Sequence, residues 1–197
     1  MSDRATRGHG LLEPLLARLR TRQAERRLPS RLRSGRVLDI GCGSSPYFLS
    51  HTYFREKYAI DQLPPAAASA RGILWHQLDL NAEPKIPFDD GFFAAVTLLA
   101  VAEHLDPAAL ERLLTEAHRV LAPGGRLVLT TPAARADRLL RWLARARLVS
   151  PEEIEEHKYA YTPGLLGWYF GRAGFAMEAI AIGHFELGLN LWATADR

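Results

Sequence analysis

Two glycines one residue apart, Gly41 and Gly43, follow an apolar run that ends in Asp39-Ile40. Residues without side chains let the backbone turn sharply and let a ligand lie directly against it. Alone, the pair is better read as a structural turn than as a ligand loop. The third glycine of a dinucleotide fingerprint is replaced by Pro46, so a pyrophosphate is not the expected ligand. Asp61 lies 22 residues after Asp39, where a carboxylate can accept both hydroxyls of a ribose. The alternative for Asp61 is a turn or helix-capping role. His104 and His157 are candidate bases, because an unperturbed imidazole titrates near neutrality.

These residues need elements to bring them together. Apolar runs at Arg36–Ile40, 57–60, 73–80, 92–99 and 126–131 read as strands, the last introduced by Pro123-Gly124-Gly125. Between the fourth and fifth, Leu110, Leu113, Leu114, Ala117, Val120 and Leu121 recur at helical spacing behind Pro107. Strands alternating with helices imply a parallel sheet covered on both faces. Asp61 and Asp79 then fall at strand ends, where ligands of such sheets bind. A helix over 134–148 and another from Thr162-Pro163 to Gly174 come next. Two further strands, 175–182 and 185–194, are separated only by Gly183-His184 and should form an antiparallel hairpin at the sheet edge. Ahead of the first strand, Leu11, Leu12, Leu15, Leu16 and Leu19 read as one face of an amphipathic helix packing on something larger.

The chain has 197 residues, enough for one domain with a full core or a domain plus a short arm. Its net charge of +3 is unevenly spread. Residues 1–36 hold ten arginines against three acids, while the rest holds 15 basic and 19 acidic residues. The expected division is a basic helical arm at 1–34 and a folded domain at 35–197, with 132–173 covering its binding site. Such an arm can meet phosphate or an anionic membrane, though solvated arginine on a surface helix is the commoner case. The same holds for Arg135, Arg138, Arg141 and Arg145 on the 134–148 helix. No apolar run is long enough to span a bilayer, and Glu13, Arg18 and Arg20 interrupt the N-terminal leucines, so no cleaved leader is expected. The single cysteine, Cys42, fits a reducing cytoplasm.

Taken in order, Val37-Leu38-Asp39-Ile40-Gly41-Cys42-Gly43, Ile60-Asp61, Leu78-Asp79-Leu80, Ile86-Pro87-Phe88, Glu103-His104-Leu105 and Arg119–Leu127 resemble the class I S-adenosylmethionine-dependent methyltransferases. The likeness is to the small-molecule branch that includes ubiquinone-biosynthesis-like enzymes (methyltransferase type 11). It runs from about Arg36 to Thr131 and more loosely beyond. The resemblance implies an α/β Rossmann-like fold: a seven-stranded, mostly parallel sheet with helices on both faces and an antiparallel C-terminal hairpin. It implies S-adenosyl-L-methionine as cofactor. Gly41 and Gly43 would pass under its methionine and ribose portion, braced by Asp39. Asp61 would hold the ribose hydroxyls. Asp79 would accept from the adenine amino group beside Leu80, and Leu99 would face the methionine portion. A metal-binding Glu of the ubiquinone-type branch is here Ala100, so no metal is expected. In relatives a His-x-x-x-Tyr-Thr-Pro stretch covers the active site, which places His157, Tyr159 and Tyr161 at the acceptor.

The expected activity is methyl transfer to a small molecule, with lipid-linked and saccharide acceptors included. A nucleic-acid methyltransferase using the basic arm is the competing class, but the sequence has no Asn-Pro-Pro-Tyr or Asp-Pro-Pro-Tyr run and no Pro-Cys after the fourth strand. A catalytically silent adenosyl-binding protein is a third reading. A membrane-peripheral enzyme is a fourth. Pro46 and the hairpin argue against a nicotinamide-dependent enzyme. No stable protein partner is indicated.

Overall fold

The computed structural model describes residues 13–66, 72–82, 85–136 and 159–197. Seven strands form one sheet: β1 (Arg36–Ile40), β2 (Glu56–Asp61), β3 (Ile73–Gln77), β4 (Phe93–Leu99), β5 (Leu121–Pro132), β6 (Ile180–Phe185) and β7 (Asn190–Asp196). Their order is β3-β2-β1-β4-β5-β7-β6. The first five pair in parallel, and β7 runs antiparallel to both β5 and β6. The chain builds outward from β1 to β3 and then returns to add β4 on the other side of β1. The order therefore reverses between β1 and β4, where a crevice opens at the strands' C-terminal ends. The expected Rossmann-like sheet and its antiparallel end are present.

Both faces of the sheet are covered, which is why the central strands are nearly continuous apolar runs. Helices α1 (Glu13–Arg27) and α2 (Tyr47–His51) cover one face. Ala24, Leu28, Val37, Phe48, Leu49 and Val128 form a buried cluster there. On the other face, α3 (Pro107–Val120) and α4 (Pro163–Arg172) pack on Leu38, Ile40, Val96, Leu98, Leu127 and Leu129. The buried residues of α3 include Leu110, Leu113, Leu114, Ala117 and Val120, the stripe its sequence spacing shows. Pro163 opens α4, where the Thr162 hydroxyl accepts from the Leu165 amide at 3.3 Å.

Three expectations need correction. The leucines are not what the N-terminal helix buries most. Leu11 and Leu12 lie outside the described residues, Leu15 is exposed and Leu16 and Leu19 are half-buried, whereas Ala17, Thr21, Ala24 and Leu28 are buried. Small side chains at this spacing let α1 lie close to the sheet, so the helix of the basic segment is a layer of the domain itself. The hairpin connection is not Gly183-His184, since both residues lie within β6. A Cβ on Gly183 would sit 2.5 Å from Cζ2 of Trp192 on β7, so this glycine makes room for a ring instead of a turn. The turn is Glu186–Gly188, with Glu186 (φ 51°) and Leu187 (φ 54°) in the left-handed region. The strand expected from residue 175 begins only at Ile180, because Phe175 is buried in the core and Met177–Ala179 makes a single helical turn. Of the helix expected over 134–148, Ala134–Ala136 forms one 3-10 turn, and the remainder lies outside the described residues.

Candidate cofactor cleft

The loop after β1 carries Gly41 and Gly43, both at positive φ (71° and 68°). The two glycines have different neighbours. A Cβ on Gly41 would lie 2.5 Å from Cγ2 of Val101, so this position is closed by packing. A Cβ on Gly43 would meet nothing within 4 Å, so its backbone faces open space. Beneath the loop, the Gly43 amide donates to Asp61 Oδ2 at 2.8 Å, and the Leu63 amide donates to Asp61 Oδ1 at 2.9 Å. Asp61 is 1% exposed at the end of β2. It thus holds the loop in shape from below.

Asp39 sits deeper. Its Oδ1 accepts from the Thr97 hydroxyl at 2.6 Å across the β1–β4 pair. Burial pushes its carboxyl up to about 7, with Asp61 adding to the rise and the Thr97 hydrogen bond opposing it.

The cleft above these residues is lined by Asp39, Gly41 and Gly43, by Asp61, Asp79 and Leu80, and by Leu99, Ala100, Glu103 and His104. All seven positions expected to meet the cofactor share this one cavity, and His104 lies beside them. Asp79 is exposed and takes the Asn81 amide at 3.0 Å on Oδ1, a tight local turn after β3. Ala100 has φ 58°, a strained setting for a residue with a side chain, and its amide donates to the Thr130 carbonyl at 2.9 Å. Glu103, 1% exposed, accepts from the Thr131 hydroxyl at 2.9 Å.

The two tyrosines are placed differently. Tyr161 is buried and its hydroxyl donates to the Ala102 carbonyl at 3.0 Å. Burial raises its pKa further above the ordinary phenol range, so it stays a neutral donor. It anchors the helical turn Ala102–His104 from behind and is not part of the cleft lining. Tyr159 is exposed, and its hydroxyl donates to Asp106 Oδ1 at 3.2 Å, also away from the lining. His157 lies outside the described residues.

Sequence reasoning missed one wall. Ala17, Arg20 and Thr21 of α1 line the cleft. The readable signal was the small-residue stripe Ala17-Thr21-Ala24, hidden by the more conspicuous leucines. With four carboxyl groups and one guanidinium in its lining, the cleft suits a ligand carrying positive charge beside hydroxyl donors. The open backbone at Gly43 and the aspartates at successive strand ends fit an adenosyl group joined to a cationic sulfonium.

A Rossmann-like sheet with this cleft at its switch point defines a nucleoside-binding α/β protein. The methyltransferase-domain family model matches residues 9–180, and the chain belongs to that family. It is an S-adenosylmethionine-dependent methyltransferase, with S-adenosylmethionine as the expected cofactor. Solved structures share the fold. An S-adenosylmethionine-dependent methyltransferase from Archaeoglobus fulgidus superposes with TM-score 0.67 at 17% identity, covering 91% of this chain and 94% of its own. One from Mesorhizobium loti gives 0.66 at 20% identity, covering 92% and 100%. A third, from Thermotoga maritima and described as a possible histamine N-methyltransferase, gives 0.66 at 19% identity, covering 92% and 89%. No curated protein matches by sequence.

Proposed function

We propose that this enzyme methylates a small-molecule acceptor and binds its cofactor through the residues gathered at the switch point. Gly41 and Gly43 pass beneath the methionine and ribose portion, Asp61 receives the ribose hydroxyls, and Asp79 with Leu80 frames the adenine. Leu99 borders the methionine portion, and Asp39 braces the loop from below. The observation that carries this reading is the convergence of three strand-end aspartates and an open glycine backbone on one cleft. The cofactor supplies the transferable methyl group, while the chain supplies orientation and charge. His104, on the helical turn beside the cleft, is the proposed base when the acceptor must lose a proton, with His157 the second candidate. Position 100 is Ala, so the proposed reaction uses no metal.

Residues 35–197 form the proposed catalytic unit, to which the basic segment contributes α1 as a cleft wall. The 132–173 stretch, with Tyr159 and Tyr161, is the proposed acceptor cover, in which Tyr161 acts by holding the turn that bears His104. No helix among the described residues is long and apolar enough to cross a membrane. We place the enzyme in the cytoplasm, as the lone cysteine suggests. The outward arginines Arg18, Arg22 and Arg26 of α1 are exposed and leave room for peripheral contact with an anionic surface.

Titration calorimetry with S-adenosylhomocysteine tests the cofactor assignment. Asp61→Asn keeps one oxygen to accept from the Gly43 amide but loses the charge that strengthens the ribose bonds. Its affinity should fall at least tenfold, about 1.4 kcal/mol. Unchanged affinity would refute the ribose role.

A further inference from the structure

The hairpin turn at Glu186–Gly188 contradicts local preference at its first two residues. Glu186 and Leu187 occupy the left-handed region, which glycine, asparagine and aspartate adopt far more readily. Leu187 projects fully into solvent. The Glu186 carboxyl folds back, where Oε2 accepts from Asn190 Nδ2 at 2.5 Å. Its other oxygen, Oε1, is buried with no hydrogen-bond partner among the described residues. Leaving a buried acceptor unsatisfied is destabilising, and a tie between the turn and β7 needs only Oε2. Backbone strain together with a half-satisfied carboxyl marks a place where stability is given up for function.

The turn lies on the cleft's side of the sheet. Asn190 pairs with Pro132 at the C-terminal end of β5, and the Ala133 amide donates to the Leu189 carbonyl at 2.8 Å. Two residues earlier on β5, the Thr130 carbonyl receives the amide of Ala100 in the cleft lining. Two strand spacings, roughly 10 Å, therefore separate the end of β4 from the start of β7. Arg20 of α1 stands between the two: it lines the cleft and also acts electrostatically on Glu186. It forms no ion pair with Glu186 within 4 Å among the described residues. Burial raises the Glu186 carboxyl above the ordinary carboxylate range, while Arg20 and the Asn190 hydrogen bond oppose the rise.

We propose that Glu186 is an acceptor-positioning carboxylate, receiving an ammonium or hydroxyl group of the methyl acceptor on Oε1. The inference rests on the methyltransferase reading above and adds the acceptor's chemistry to it: a hydrogen-bond donor at the end remote from the methylated atom. Glu186 is too far along the sheet to act on the reacting atoms, so it orients the acceptor and selects it.

The test is calorimetry on the whole protein saturated with S-adenosylhomocysteine, using 2-phenylethylamine, 2-phenylethanol and 3-phenylpropionate as size-matched probes. The amine or the alcohol should bind at least tenfold tighter than the carboxylate, and the tighter of the two names the donor. Glu186→Gln should weaken the preferred probe at least tenfold and abolish the discrimination against the carboxylate, with S-adenosylhomocysteine affinity held within twofold. Arg20→Met, which removes the opposing cation, should strengthen amine binding, an opposite change that general damage to the fold would not give. Equal probe binding by wild type and Glu186→Gln, or no preference among probes in a wild type that binds S-adenosylhomocysteine, overturns the proposal. Failure to bind S-adenosylhomocysteine would instead remove the cofactor reading beneath it, and the two results are separately visible.

Discussion

Asp39 should make this protein more stable in mild acid than at neutral pH, opposite to the usual behaviour of a paired carboxylate. Its carboxyl is fully enclosed and titrates at about 7 instead of 3.8. The folded state therefore holds this proton more tightly than the unfolded chain, and between those two values it binds more protons. Stability contributed by the group is complete below pH 3.8 and is lost as pH rises through 7. At 1.36 kcal/mol per tenfold change, the ceiling on the loss is about 4 kcal/mol. Asp39→Asn removes the titration and keeps an oxygen for the Thr97 hydroxyl. Urea unfolding of both proteins from pH 4.5 to 8.5 should show wild type losing at least about 2 kcal/mol relative to the variant across that range. Because Asp61 contributes to the rise, the loss should be smaller and should finish at lower pH in an Asp61→Asn background. A difference between wild type and Asp39→Asn that stays flat with pH would refute this account of the buried carboxyl.

The two loop glycines should fail differently. Gly41→Ala pushes a methyl into Val101 at a left-handed position and should cost about 2–4 kcal/mol of stability by urea unfolding. Gly43→Ala carries only the conformational cost, about 1 kcal/mol, yet it fills the open space above the backbone and should weaken S-adenosylhomocysteine at least tenfold by calorimetry. Tyr161→Phe leaves the buried Ala102 carbonyl without its donor and should cost about 1–2 kcal/mol by the same unfolding assay.

The parts of the fold that were legible in the sequence are those where one residue type has one dominant physical reason. Gly41 and Gly43 follow a strand that must turn; Pro107 and Pro163 open helices whose first amides need no partner; the stripe of α3 can face only a core. Asp61 and Asp79 stood at strand ends because parallel strands deliver their C-terminal residues to one edge. What stayed hidden were choices between competing reasons. Gly183 looked like a turn because glycine is permissive, but the residue it serves is Trp192, on another strand and invisible to local spacing. The leucines of α1 outweighed Ala17 and Thr21 on any hydrophobic scale, yet close approach to the cleft required small side chains, so the weaker signal set the face.

Glu186 is the clearest case of this competition. No turn preference predicts Glu and Leu at consecutive left-handed positions, and a purely local reading moved the hairpin to Gly183-His184. The fold holds that turn through one local tie, from Asn190 to Glu186, and one distant in sequence, from Ala133 to Leu189. Local misfit maintained by such ties is expected where a backbone is shaped for a ligand instead of for itself. The cofactor loop, by contrast, uses glycines that relieve its strain and is legible for that reason. On the proposed assignments, cofactor recognition is written in residue types with strong local preferences, whereas acceptor recognition falls to a position where sequence and local structure disagree, so the donor carried by the acceptor is best sought at Glu186.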